Sequence, residues 1–128
     1  MQKINYHNHH IAYDLQGKGT TVIFLHGFGG TRQMWTDYLP FFKDYQTLTI
    51  DLPGAGDSDM MDVSIARMAK IVNAVLLAED IEKCIFVGHS MGGYVALAFA
   101  KMYPCKHRCS AVPYVSLPSS EGKTTAVV

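Results

Sequence analysis

Ser90 is the residue in this chain best placed to do chemistry. It stands inside Gly88-His89-Ser90-Met91-Gly92-Gly93, directly after the apolar run Ile85-Phe86-Val87 and directly before an apolar segment of helical character. Strand, sharp turn and helix in that order lift a serine hydroxyl clear of a sheet, the G-x-S-x-G arrangement in which serine attacks a carbonyl carbon. Gly88 and Gly92, two residues before and after the serine, leave space where a Cβ would clash. The chemistry to expect is nucleophilic, with the hydroxyl oxygen as the attacking atom.

Other elements must hold that turn. Thr21–Leu25, TVIFL, is a continuous branched and aromatic run, the pattern of a strand buried on both faces. Residues 47–50, TLTI, repeat it, and residues 83–87 form the strand that feeds Ser90. Thr31 can cap a helix over residues 32–39, which Pro40 limits. Ser64 can cap a helix over Ile65–Ala78 with an apolar stripe of Ile65, Met68, Val72, Val75 and Leu76, and with Arg67, Lys70 and Asn73 toward water. The helix Met91–Met102 is apolar nearly all round and is expected to be buried. Residues 4–15 alternate loosely and read as an edge hairpin or strand ending at Gly17-Lys18-Gly19.

Strands alternating with helices predict an α/β fold, a predominantly parallel sheet flanked by helices. Three glycine-rich turns follow Leu25, Ile50 and Val87, all at strand carboxyl ends. Ligands in such sheets bind at those ends, so the three turns should converge on one site.

Composition narrows the partners. Lys and Arg total 11 and Asp and Glu total 11, so no net field favours nucleic acid or an anionic membrane. The start, MQKINYHNHHIAYD, has no apolar stretch of signal-peptide type. No apolar run approaches the ~20 residues that span a bilayer. Three cysteines, Cys84, Cys105 and Cys109, are an odd number without framework spacing, so a reducing, cytoplasmic setting is the default. The loop His26-Gly27-Phe28-Gly29-Gly30-Thr31 has neither the Gly-Lys-Ser/Thr ending of a Walker A loop nor G-x-G-x-x-G spacing, so no nucleotide cofactor is expected. His7, His9 and His10 have no Cys or acidic residue at ligand spacing, and Cys105, His107 and Cys109 crowd into five residues with no fourth ligand, so no metal is expected.

His26-Gly27-Phe28-Gly29-Gly30, then Asp51-Leu52-Pro53-Gly54-Ala55-Gly56-Asp57-Ser58, then Gly88-His89-Ser90-Met91-Gly92-Gly93 resemble successive landmarks of the α/β-hydrolase superfamily in order and spacing. The likeness covers about residues 4–104, the N-terminal half of such a domain, and is closest to the esterase, lipase and haloperoxidase-like branch. It implies an incomplete fold of that family ending shortly after the helix that follows Ser90. It implies Ser90 as nucleophile, with the backbone N–H groups of Met91 and Phe28 as the oxyanion hole. One such donor is typically worth ~3 kcal/mol of barrier. His26, Gly27, Gly29 and His89 would line the pocket, Gly88 and Gly92 would keep the turn, and Asp51 would fix its own turn. The substrate implied is a small molecule with an ester-type bond, cleaved through an acyl-enzyme. A serine at position 90 disfavours the branches that use a carboxylate nucleophile.

The chain departs from the family after Tyr103-Pro104. In the family the triad runs Ser, then Asp or Glu, then His. After Ser90 the sequence has no Asp, only Glu121 and only His107, in reversed order. Residues 1–104 therefore read as the N-terminal part of a domain and residues 105–128 as an atypical tail, flexible or frameshifted. Within it, residues 112–117 are interrupted by Pro113, which argues against a central strand. Two alternatives follow: a non-catalytic remnant or small-molecule binding protein, and a carbon–carbon bond hydrolase or cofactor-free haloperoxidase-like enzyme. A half-domain also leaves a sheet edge and apolar faces uncovered, so self-association is expected.

Overall fold

The structure is a computed structural model that describes residues 1–104, 114–116 and 126–127. The chain opens on a hairpin of β1 (Gln2–Tyr6) and β2 (His9–Gln16). Its turn residues His7 and Asn8 have φ of 48° and 65°, the left-handed pair that a two-residue hairpin loop of matching twist needs. β3 (Thr21–Leu25) is buried along its whole length, and β4 (Gln46–Ile50) nearly so.

The helix expected over residues 32–39 does not form. Two short 3-10 helices, Arg32–Trp35 and Leu39–Phe42, take its place. Thr31 caps as expected, its hydroxyl accepting the Gln33 N–H at 3.3 Å. Pro40 lies in the first turn of the second helix, where its missing N–H costs nothing. Tertiary packing explains the change. Trp35 and Phe42 both sit on Phe24, with ring centroids 5.2 and 5.1 Å away.

α1 (Ile65–Ala78) has the predicted bounds, and the Ser64 hydroxyl accepts the Arg67 N–H at 3.2 Å. Ala69 and Ile71 join its buried stripe. Arg67 and Lys70 are exposed, and Asn73 is half-buried. β5 (Cys84–His89) leads through Ser90 into α2 (Met91–Met102). α2 is not buried all round: Tyr94 and Leu97 are 52% and 39% exposed, because among the described residues only the sheet and α1 cover it.

β6 (Tyr114–Ser116) and β7 (Ala126–Val127) complete the sheet. Its order is β1-β2-β4-β3-β5-β6-β7. β4, β3, β5 and β6 run parallel, while β1, β2 and β7 pair antiparallel with their neighbours. The hairpin thus forms an edge, as its pattern predicts. The expectation for residues 112–117 is corrected: a strand forms between β5 and β7. It runs from Tyr114 and pairs in parallel with Val87 to His89 of β5. The rest of the atypical tail lies outside the described residues, and so do Cys105, His107 and Cys109. Cys84 is disulfide-bonded, against the expectation of three reduced thiols.

One face of the sheet packs Ile23, Leu25, Leu48, Ile50 and Phe86 under α1 and α2. The other face carries Val22, Phe24 and Trp35, with Ile85 and Val87 only half-buried against them. No helix among the described residues is long and apolar enough to cross a membrane.

Candidate active site

Ser90 links β5 to α2 with φ 51° and ψ −113°. A non-glycine residue held there stores about 1–3 kcal/mol of strain, which persists only where surrounding structure imposes it. The surroundings are close. A Cβ on Gly88 would lie 2.5 Å from the Gly93 nitrogen, and one on Gly92 would lie 2.1 Å from the Leu25 carbonyl oxygen. Gly88 therefore lets the turn fold back on its own helix, whereas Gly92 lets α2 touch the end of β3. The Ser90 carbonyl accepts the Gly93 N–H at 2.9 Å and the Tyr94 N–H at 3.3 Å, closing the first helical turn. Its hydroxyl has no hydrogen-bond partner among the described residues.

The loop after β3 lies against this turn. A Cβ on Gly27 would stand 2.8 Å from His89 Nδ1 and 3.3 Å from the Ser90 Cβ. Gly29 is different: nothing lies within 4 Å of its missing Cβ, and its φ of 77° is what calls for glycine. The Phe28 side chain points outward, 94% exposed. The backbone N–H groups of Phe28 and Met91 meet no acceptor among the described residues.

His26 is fully occupied. Its Nε2 accepts the Leu52 N–H at 2.9 Å, so its proton sits on Nδ1, which donates to the Gly27 carbonyl at 2.8 Å. Burial pushes its pKa below the usual 6.5, over the opposing pull of the Gly27 carbonyl and the Asp51 charge. A folded-state pKa below the unfolded one makes stability fall as pH drops, because the unfolded chain takes a proton that the folded ring refuses. Melting temperature should therefore decline between about pH 7 and pH 5, and His26→Gln should flatten that slope. Thermal melts of both proteins across that window check it, and equal slopes would remove His26 as the cause.

His89 takes neither side of that bond. Period-two alternation puts it on the face of Ile85 and Val87, away from Phe86, and it is not in the wall of the pocket. That pocket, of about 440 Å³, is lined by His26, Gly27 to Thr31, Pro53 to Gly56, Met60, Val63, Met68 and Met91. Glycine-rich loops after β3 and β4 thus meet the start of α2, the convergence that the strand order predicts. The lining side chains are apolar apart from His26 and Thr31, and the glycine-rich loops add backbone polar groups.

Sequence reasoning missed a buried charge cluster behind this wall. Asp51 is fully buried. Its carboxylate accepts the Arg32 backbone N–H at 2.7 Å, the Arg32 guanidinium, and the Asp57 N–H at 2.9 Å. Arg32 also reaches Asp57 Oδ2 at 2.9 Å and Asp14 Oδ2 at 2.7 Å. Burial raises the Asp14 pKa, but the Arg32 hydrogen bond and charge outweigh it and hold the carboxyl below its ordinary value. Asp51 does fix its turn, as expected. The one sequence signal for its partner was an arginine placed between Thr31 and an aromatic run.

Comparison with known proteins places this geometry in context. A family model described as the alpha/beta hydrolase fold matches residues 20–126. The chain is 36% identical over 80 residues to the 2-succinyl-6-hydroxy-2,4-cyclohexadiene-1-carboxylate synthase of Pectobacterium atrosepticum, covering 62% of this chain and 32% of that protein. Among solved structures, Est816, an N-acyl homoserine lactone degrading enzyme, superimposes with a TM-score of 0.79 at 30% identity, over 87% of this chain and 42% of its own. A thermophilic esterase from Thermogutta terrifontis does so with a TM-score of 0.75 at 29% identity, over 83% of this chain and 42% of its own. The chain spans about a third of the length of that curated relative.

Proposed function

The chain belongs to the α/β-hydrolase fold family, and from that premise we propose that Ser90 is the nucleophile of a serine hydrolase acting on ester-type bonds. The single observation that carries this reading is the strained Ser90 backbone between β5 and α2, at a turn that only glycine at positions 88 and 92 allows. The Ser90 oxygen would attack the carbonyl carbon, and the backbone N–H groups of Phe28 and Met91 would bind the oxyanion. The leaving group would depart with a proton, and water would then cleave the acyl-enzyme. Pro53, Met60, Val63 and Met68 line the same cavity as Met91, the residue after the serine, and support an uncharged acyl group there. Likeness to a lactone-degrading enzyme and to an esterase supports ester-type bonds.

A second reading is favoured by one observation. His26 has both ring nitrogens engaged, and the described residues after Ser90 include no Asp, Glu or His. On that reading this chain by itself binds small acyl molecules without turning them over, because a serine hydroxyl without a base is a weak nucleophile. A fluorophosphonate and intact-mass measurement separates the two. One adduct per chain, absent in Ser90→Ala, supports the nucleophile. A folded chain that takes no adduct leaves binding as the function.

A further inference from the structure

We infer that Arg32 is the positioning residue of this site, one guanidinium that holds the loop after β4 in register with the loop that carries Phe28. The inference rests on the reading above for the chemistry of the site. The loop register itself is a property of the fold and is tested separately.

Neither loop has a helix or strand between residues 26 and 31 or between 51 and 64. Something other than backbone ladders must fix them. The His26–Leu52 bond ties one point. The far end of the second loop is held on β2, where the Ser58 hydroxyl donates to the Asp51 carbonyl and accepts the Ala12 N–H, and where the Asp59 N–H donates to the His10 carbonyl. Arg32 adds the charged link between the two loops and β2. Its own N–H donates to Asp51 Oδ1, its Nη1 donates to Asp51 and Asp57, and its Nε donates to Asp14 on β2. Its side chain is only 8% exposed. Three carboxylates converge on this single guanidinium, and the Met1 ammonium adds a contact at 3.4 Å on the outer oxygen of Asp14. A planar fork serves three acceptors at once, whereas an ammonium is a point charge.

Loss of the guanidinium leaves the buried Asp51 carboxylate beside Asp57 without the cation that both share, while Asp14 keeps only the Met1 ammonium. The available relief is to open residues 51–57 toward water. That movement takes with it the Leu52 N–H that orients His26 and the Pro53–Gly56 wall of the pocket. Phe28 and Gly27 then lose the backing that presses them on Ser90. Arg32 touches no reacting atom and acts through Asp51 and the loops.

A cleft of about 470 Å³ on the outer side is lined by Asp14 and Arg32. A small guanidinium ion can therefore reach the cluster from solvent when the arginine side chain is removed. The test compares wild type, Arg32→Ala and Arg32→Lys by amide exchange of peptides covering residues 26–31 and 51–58, with α1 as internal reference. In Arg32→Ala both loops should exchange about tenfold faster while α1 is unchanged. Tens of millimolar methylguanidinium should restore most of the protection and methylammonium should not, with Arg32→Lys in between. Wild-type exchange in both loops, or protection that neither ion restores, overturns the inference. If Arg32→Ala does not fold, Arg32→Lys alone is compared with wild type, and faster exchange in both loops with α1 unchanged is then the supporting result, unchanged exchange the opposing one.

The rate of fluorophosphonate addition at Ser90 is followed in the same samples. If wild type takes no adduct, the serine-hydrolase reading fails and the exchange data still decide the role of Arg32. If wild type reacts and Arg32→Ala reacts equally fast with loosened loops, the serine reading stands and the positioning role is lost.

Discussion

Gly92→Ala should cost about 3 kcal/mol or more, because it forces atoms into a site with no free volume. The added Cβ would stand 2.1 Å from the Leu25 carbonyl oxygen and 2.8 Å from that of His26. Both are backbone atoms, so no side-chain rotation relieves the clash. Either α2 retreats from β3 or the strand end shifts, and each move disturbs the Ser90 turn. The melting temperature should fall by about 10 °C or more for a domain of this size. Gly29→Ala is the control. Nothing lies within 4 Å of its Cβ, and only the φ of 77° opposes the change, at about 1–2 kcal/mol. Calorimetry of the two variants checks the contrast, and equal losses would show that the α2–β3 contact yields easily.

Asp51→Ala is the second large effect. The carboxylate is fully buried and accepts from the Arg32 N–H, the Arg32 guanidinium and the Asp57 N–H. Its removal strands the buried Arg32 N–H, frees the part-buried Asp57 N–H and leaves the Arg32 guanidinium to two outer carboxylates. Deleting one partner of a buried ion pair typically costs about 3–5 kcal/mol. Asp57→Ala should cost far less, because the Asp57 side chain is 51% exposed and water replaces its bond. Urea titrations give both values. The ranking, with Asp51 well above Asp57, is the expected outcome, and a reversed ranking would mean that the cluster is held from its exposed side.

The parts of the fold written in local pattern were legible before any coordinates. Continuous apolar runs placed β3, β4 and β5, and a serine cap with a periodic stripe placed α1 at its exact bounds. The glycines around Ser90 placed the turn that gives the chain its chemistry. These signals are legible because neighbouring residues impose them on one another, through Cβ clashes, caps and the periods of strand and helix. Pro113 weighs locally against a strand over residues 112–117, yet β6 forms from Tyr114, because pairing with β5 is a tertiary contact that the local pattern does not carry.

What tertiary structure alone decided lies between residues distant in sequence. Arg32 meets Asp14, Asp51 and Asp57 across 18, 19 and 25 residues. No local pattern marks such a contact, because charge attracts through space and the partners meet only once β2, β4 and the loop after β3 are assembled. Aromatic packing on Phe24 likewise overrode the helix expected over residues 32–39. The site shows the same division. Sequence determined that a serine stands on a strained turn between a strand and a helix. Only the assembled sheet decided that Gly92 meets Leu25, that His26 is spent on Leu52, and that His89 packs against Gly27, because each depends on which strand lies beside β5.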